Sequence, residues 1–473
     1  MQRNLAKTYT LVPSVKNIPH LEIASIFLSH SSEKFLKPNG KIGFVLPRSF
    51  MSADQHKNFR SGESAGFKLT SVWDLADVIP LFRVPAMVAF AEKCEVKTER
   101  KFPKMGISGY ILSGRMNRED KAQGGLWGDM SGKINKIETI WYNSKLGERT
   151  ALSNKKTSLG ADKNFYEPYF KQGATIVPRN FYFVDLQGVL PTDKKDSIVV
   201  VKTAEHILDD AKPPWKDFIL KNQINTNFIF RTAIAKSILP FQLVNPVLVA
   251  LPIEIETIGK KKQIKLLDSE KIASSGDFRS AEYFRKAETL WEKHRTEKNK
   301  RIAISNYLNW QNKLSDQNLN MRYIVLYNAS AKDANAVVVN RKQFDFEFIV
   351  ESAAYSYMTD NQNEAIYLCT FLNSNYANEK IKSFQATGLF GERHVHKAIL
   401  QIPLPEYTER NPLHEELMQI GTACIEKTKN FLKPQDVSEV SGIKLGNLRL
   451  KIKENLVKEL KEIDKLLRKI NKE

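Results

Sequence analysis

A Lys37-Pro-Asn-Gly40 turn is followed by Ile42-Gly-Phe-Val-Leu46, a short run with no polar residue to turn toward water. Such a run is expected for a strand covered on both faces, which obliges the chain to layer helices around a sheet. The flanks supply them. Residues 20–36 put Leu21, Ala24, Ile26, Phe27, Leu28 and Phe35 largely on one helical face, and the turn at 37–40 ends that helix. Ser52 stands as an N-cap before a second helix through Arg60. Residues 69–75 and 87–90 then read as two more strands, joined by the irregular segment ADVIPLFRVP. Residues 1–95 are therefore α/β, and too short for a complete doubly wound domain.

Residues 96–164 are polar, rich in Gly and Lys and weakly periodic, as in a connector. From 165 the pattern turns to short β-type runs (TIVPRNFYFVDL, SIVVVKTA, PVLVALPIEI), then a long basic helix over 279–308, more strands (YIVLYNAS, AVVVN, FEFIV), a helix at 364–372 and a closing strand at 399–404. This mixture predicts an α+β domain over 165–410, followed by a helical tail over 411–473. Leu445, Leu448, Ile452, Leu456, Ile463, Leu467 and Ile470 recur near the helical period, so the tail is amphipathic, either packed on its own domain or paired with another chain.

The charge narrows the partners. In a chain of 473 residues, 72 Lys and Arg against 53 Asp and Glu give a formal charge of +19. Hydrophobic residues at 42% exclude wholesale disorder, so this charge sits on folded surfaces. It points to a polyanion, with nucleic acid ahead of a membrane surface because no basic amphipathic helix opens the chain; the alternative is a basic surface kept for solubility. Cys94, Cys369 and Cys424 form no CxxC pair and build neither a disulfide framework nor a zinc ribbon, which fits a reducing compartment. The longest apolar stretch, 238–253, is broken by three prolines and falls short of the ~20 residues that span a bilayer. The reading is a soluble, cytoplasmic protein with no membrane partner.

Several segments carry a family resemblance. His20-Leu-Glu-Ile-Ala-Ser-Ile-Phe-Leu28, Leu36-Lys-Pro-Asn-Gly-Lys-Ile-Gly-Phe-Val-Leu-Pro-Arg-Ser-Phe50, Ser52-Ala-Asp-Gln-His-Lys-Asn-Phe-Arg60, Val72-Trp-Asp-Leu75 and Pro80-Leu-Phe-Arg-Val-Pro-Ala-Met-Val-Ala-Phe90 occur in an order that resembles the later catalytic domain of SAM-dependent DNA adenine-N6 methyltransferases of restriction-modification systems. Gln172-Gly-Ala-Thr-Ile-Val-Pro-Arg179, the run 363–374, Gly388-Leu-Phe-Gly-Glu-Arg-His-Val-His-Lys397 and Ile402-Pro-Leu-Pro405 resemble the target-recognition domain of such enzymes. The resemblance covers nearly the whole chain. It implies a partial Rossmann-like methyltransferase half-domain over 1–95, a connector over 96–164, and an α+β target-recognition domain over 165–410 ahead of the tail.

The departures are as informative. The family places a glycine-rich loop after its first strand to hold SAM and an Asn/Asp-Pro-Pro-aromatic loop to bind the target amine, and neither precedes residue 20. The one similar run, Lys212-Pro-Pro-Trp215, lies in the recognition half, and a lysine cannot accept the adenine N6-H. It reads as a turn with a packed Trp. The resemblance thus implies that Met1 falls shortly after the catalytic loop, in a split pair or an interrupted gene. SAM would belong to the complete enzyme and not to this chain alone.

Candidate site residues follow. Phe82 occupies the place where the family stacks the flipped adenine; otherwise it is a loop aromatic plugging the sheet edge. Arg48, in the turn leaving a strand's C-terminal end, could touch phosphate, a partner half or an ion-pair partner. Lys57 and Arg60 on the second helix, Arg179 beside Phe181 and Tyr182, and Arg393, His394, His396 and Lys397 complete the expected DNA contacts. Two histidines alone do not make a zinc site, so no metal is expected, and His394 and His396 keep structural or phosphate-binding roles. The basic stretch 279–301 reads as a solvated face or a track along DNA. The expected function is the specificity-bearing part of a DNA adenine-N6 methyltransferase, which needs an N-terminal methyltransferase fragment or subunit and binds double-stranded DNA. The alternatives are a non-catalytic DNA specificity subunit that recruits a complete methyltransferase or nuclease, and an inactive remnant.

Overall fold

Strand β1 (Lys41–Pro47) pairs along its length with β3 (Ala86–Lys93), antiparallel, and β3 lies antiparallel against β2 (Phe67–Ile79). Two strands of like direction are therefore held apart by one that runs against both. β4 (Ile107–Arg115) continues parallel to β2, and β5 (Ile134–Leu146) and β6 (Arg149–Ser153) follow antiparallel, in the order β1-β3-β2-β4-β5-β6. This computed structural model describes residues 1–79, 81–116, 132–156, 163–191, 196–208, 211–388, 391–393, 395–435, 437 and 442–472. The chain divides into two units: Met1–Asn164 with Asn378–Leu404, and Phe165–Ala377 with Pro405–Glu473. Both mix α and β.

In the first unit one face of the sheet is the core face. Leu46, Val72, Met87, Ala89, Ala91, Ile107 and Trp141 meet Leu28, Phe50, Met51 and Phe59 from the segments outside the sheet. Gly109 is a point of close approach. A Cβ there would stand 2.0 Å from the Val72 carbonyl oxygen and 2.5 Å from the Trp141 ring. The missing side chain lets the Trp141 indole lie across β4 and donate to Val72 O at 2.8 Å. Tryptophan can be buried there because its one polar group is satisfied.

Several expectations are corrected in this unit. β1 is an edge strand, and alternation leaves Val45 50% exposed while Leu46 is buried, so it is not covered on both faces. After the short helix α1 (Gln2–Thr8), helix α2 (Ile23–Phe35) buries Ser25, Leu28, Ser29 and Ser32, whereas Ile23, Phe27 and Phe35 are exposed. Small hydroxyl side chains fit close against the sheet, so the bulky residues at spacings of four and eight face outward. Ser52 caps nothing: its hydroxyl donates to Gln385 O, and the helix is only a 3₁₀ turn, Asp54–His56, followed by α3 (Lys57–Ser61). Residues 107–153, expected as a connector, supply β4, β5 and β6 of the same sheet.

The second unit holds a five-stranded antiparallel sheet in the order Lys221–Asn225, Ile198–Thr203, Phe183–Gln187, Val247–Ala250, Ile229–Thr232. Helix Phe278–His294 starts where Asp277 accepts the Ser280 N–H, and it buries Ala281, Tyr283, Phe284, Ala287 and Trp291 against that core. Trp215 stacks on Trp291 at 5.7 Å, so Lys212–Trp215 is a turn with a packed Trp. A four-stranded sheet (Ala336–Asn340, Tyr323–Asn328, Ala354–Thr359, Lys171–Gln172) carries helix Gln362–Asn373, buried over most of its length. Helices Pro412–Leu432, Gly442–Asn455 and Val457–Ile470 complete the unit. Leu445, Leu448, Ile452, Leu456, Ile463 and Leu467 are buried, so the amphipathic tail packs on its own unit.

The unit boundary differs from the expected division. Residues 378–404 return to the first unit, where Asn164 Nδ2 donates to Ile402 O at 2.9 Å, instead of closing the second. The expected strand at 399–404 is a 3₁₀ turn, Ile399–Gln401, with a lone bridge from Leu404 to Asn164. The run FEFIV forms no strand, and the long basic helix ends at His294.

Gly109→Ala is expected to destabilise the first unit by about 2–4 kcal/mol, since the backbone on one side and the buried indole on the other leave the methyl no room. Chemical denaturation followed by Trp fluorescence measures it; an unchanged midpoint would show that β4 can shift without loss.

Candidate nucleic-acid interface

The C-terminal end of β1 is where sequence expectations concentrate. There Pro47 leads into the 3₁₀ turn Arg48–Met51, and the Arg48 N–H donates to Pro85 O at 2.8 Å. That bond ties the turn to the base of the β2–β3 loop, which carries Phe82. Arg48 and the Phe82 loop thus share one end of the sheet, the end at which open α/β sheets bind ligands. Phe82 is 48% exposed, so it does not plug the sheet edge. Arg48 is engaged: its Nε lies 3.0 and 2.9 Å from the two Asp74 oxygens, and Nη2 is 2.9 Å from Oδ2. Both partners are largely buried, which makes this fork a brace more than a phosphate hook.

Beneath the turn lies a second polar set. Ser49 Oγ donates to Glu22 Oε1 at 2.6 Å, and His56 Nε2 is 3.3 Å from the same oxygen. His56 stacks on Phe50 at 3.7 Å, with its Nδ1 3.4 Å from Ser25 Oγ. A nucleophilic serine would give its proton to the imidazole, whereas here it gives it to the carboxylate. The set is therefore architectural. Arg60 corrects an expectation outright: it is 0% exposed, with Nη1 on Phe50 O and Ala53 O at 3.0 Å each and Nε and Nη2 on Thr150 Oγ1. Burial pushes its pKa down to about 9, against the pull of Asp54. With four of its five N–H groups engaged and no surface exposed, it is out of reach of DNA.

The other candidates fall as follows. Lys57 Nζ lies 3.4 Å from Glu148 O at the surface. Lys397 is exposed, and half-buried His396 adopts a φ of 39°. Arg393 ends the short strand Gly391–Arg393, its side chain outside the described residues, as is His394 altogether. All of these belong to the first unit. Arg179 belongs to the second, where its Nη2 is 3.1 Å from the fully buried Glu351 and its guanidinium lies over Phe183. Among the described residues no group of three or more His, Cys, Asp or Glu could hold a metal, and no helix is long and apolar enough to cross a membrane.

Sequence reasoning missed the outer face of the first unit's sheet. There Phe90, Trp73 and Tyr110 stand in a row at 5.1 and 5.2 Å, with Lys136 Nζ 3.7 Å over the Tyr110 ring. The signal was present locally in β2 and β4, where Trp73 follows the inward Val72 and Tyr110 follows the inward Gly109. Trp73 and Tyr110 also pack against Val78, Leu112 and Met116, and elsewhere in this unit Val45, Ile23 and Phe27 leave apolar surface in water.

The fold has known counterparts. Over 99% of its length the chain superposes, with a TM-score of 0.57 and 11% identity, on 52% of the chain of the Type IIL restriction-modification enzyme MmeI, solved in complex with DNA. Weaker likenesses are to the type IIG restriction endonuclease BpuSI (TM-score 0.27, 13% identity, 95% of this chain, 49% of that one) and to a nuclease-deletion mutant of the Type ISP enzyme LlaGI with a DNA substrate mimic (0.37, 9%, 90% and 38%). This chain therefore spans about half the length of the first of these. No protein-family model matches it, and no curated protein does. The first likeness establishes the fold.

Burial holds the His56 imidazole below its ordinary range, against the Glu22 carboxylate, and Arg60 adds to the lowering; burial alone lowers His414. Burial would raise Glu22, but hydrogen bonds from His56 and Ser49 outweigh it and hold the carboxyl below its ordinary range. A lowered imidazole contributes its full stability above its unfolded pKa of about 6.5 and loses it as pH falls through the folded value. The melting temperature is expected to fall by a few degrees between pH 7 and pH 5, and His56→Gln to remove part of that dependence. Calorimetry across this range checks it; an identical pH profile for the variant would show that His56 takes its proton at no cost.

Proposed function

We propose that this chain is the specificity-bearing, C-terminal portion of a SAM-dependent DNA adenine-N6 methyltransferase of restriction-modification type. The observation that carries the reading is the superposition of 99% of the chain on half of a restriction-modification enzyme solved with DNA. The formal charge of +19 agrees with a nucleic-acid partner. The order β1-β3-β2, with β1 unpaired on its outer side, suits a half-sheet that another set of strands completes.

In this reading the target adenine leaves the stack and Phe82 lies against its ring. In this reading SAM is held outside this chain, and the turn at the C-terminal end of β1, which has no glycine to let a cofactor approach its backbone closely, agrees with that. SAM and the Asn/Asp-Pro-Pro-aromatic loop then belong to an N-terminal methyltransferase region, in the same polypeptide or another. The open β1 edge and the outward Ile23 and Phe27 are what that region covers. The same edge favours this reading over a stand-alone specificity subunit, which has no use for it.

Two measurements test the proposal. Fluorescence anisotropy with labelled duplex DNA should show an association constant that falls with salt by roughly 0.9 log units per log unit for each phosphate neutralised. Binding indifferent to salt between 50 and 200 mM, or none at all, would remove the DNA reading. Calorimetric titration of the chain with SAM should give no binding heat, and adding an N-terminal methyltransferase region should slow hydrogen exchange at the outward amides of β1. Micromolar SAM affinity of the chain alone, or equal exchange with and without that region, overturns the division of labour.

A further inference from the structure

Strands Ile253–Ile258 and Lys261–Leu266 of the second unit form a hairpin separate from the larger sheets. Its closing pair is Ile258 with Lys261, and Gly259 takes the φ of 63° that the first position of a type II′ loop demands. The base is fixed in the core, where Ile253 and Ile264 are buried. The far end is fixed as well. The Lys262 N–H donates to Asn320 Oδ1 at 2.9 Å, and Lys262 Nζ reaches Glu347 at 3.3 Å. A hairpin pinned one residue from its turn is a rigid projection, about 20 Å long at ~3.3 Å per residue.

Its charges are distributed unevenly. Glu254 and Glu256 are both committed to Lys265, and Glu347 to Lys262 and Arg341. Lys260 and Lys261 are exposed and, among the described residues, have no acidic partner. The outward face reads Glu254, Glu256 and then Ile258, where alternation would place a polar residue, and Ile258 is 60% exposed between the lysines and the ion pairs. The tip therefore presents free positive charge around one bare apolar side chain on a preorganised support.

We propose that this hairpin is a DNA-reading ribbon, which enters the major groove of duplex DNA with Lys260 and Lys261 on the flanking phosphates and Ile258 against the base edges. The inference rests on the DNA-binding reading above and names an element that carries it. A two-stranded ribbon matches the ~12 Å width of the major groove, and an aliphatic side chain there can meet a thymine methyl. Two unpaired ammonium groups release counterions on contact with phosphate, whereas those already paired within the protein do so less readily. Preorganisation spares the ordering cost that a loose loop would incur.

The test uses the whole chain and labelled duplex DNA between 50 and 200 mM salt. K260A/K261A should weaken binding about tenfold and reduce the salt slope by about 2, one unit for each lost phosphate contact. I258S should weaken binding with the slope unchanged. K286A is the control, because Lys286 already lies 2.8 Å from Glu282. K260E/K261E, which leaves the turn and Ile258 in place, should enlarge the loss at an unchanged melting temperature. If the wild-type chain binds DNA with a steep slope and the tip variants match it, the ribbon is overturned while the DNA reading stands. If the wild-type chain binds no duplex, both fall. Tip variants that lose binding to phosphatidylserine vesicles but keep DNA binding would also overturn the ribbon.

Discussion

A buried guanidinium holds the first unit together. Arg60 gathers the carbonyls of Phe50 and Ala53 and the hydroxyl of Thr150, so the turn after β1, helix α3 and strand β6 meet on one side chain. A charge removed from water is costly unless its hydrogen-bonding capacity is used. Here three separate acceptors use it, and any displacement of the three segments would strand a charge in the interior. The Arg48–Asp74 fork and the Glu22–Ser49–His56 set add to the same end of the sheet. The turn after β1 is therefore braced by three separate sets of polar side chains.

The sequence signals that could be read were those in which packing and periodicity agree. Residues 323–327 are a continuous apolar run and lie in a buried strand, and the Val-rich run 198–201 opens a strand that buries Val199 and Val201; Leu445 through Leu467 keep the helical period and are buried. Where the structure uses small or charged residues for packing, the signal disappears. β4 reads ISGYILSGR because Trp141 needs the space above Gly109, and β5 carries Asn, Lys and Glu because much of it meets solvent. Helix α2 misled through its serines: a reading by hydrophobicity turns Phe27 and Phe35 inward, while Ser25, Ser29 and Ser32 occupy the interior.

The candidate site was legible in part for a related reason. The position of Phe82 and the Pro-Arg-Ser turn are set by chain order, which a sequence resemblance conveys well. The fate of a charged side chain is not. Arg60 and Arg48 look alike as letters, and their burial depends on carbonyls and a carboxylate that distant segments bring up. An arginine is read as surface by default, and the exceptions emerge only when its partners are in place.

The route of the chain between the units has a consequence for how such a molecule can be recombined. The polypeptide passes from the first unit to the second near Asn164, returns for residues 378–404, and crosses again near Leu404. A single proteolytic nick in any one of these links leaves the units joined covalently through the others. The second unit also cannot be exchanged as one terminal block, because cutting near Asn164 takes residues 378–404 of the first unit along with it. Exchange that preserves both folds must replace residues 165–377 and 405–473 together around a retained 378–404. Such an exchange takes three breakpoints, near residues 164, 377 and 404, and the returning segment must stay matched to the first unit it packs in.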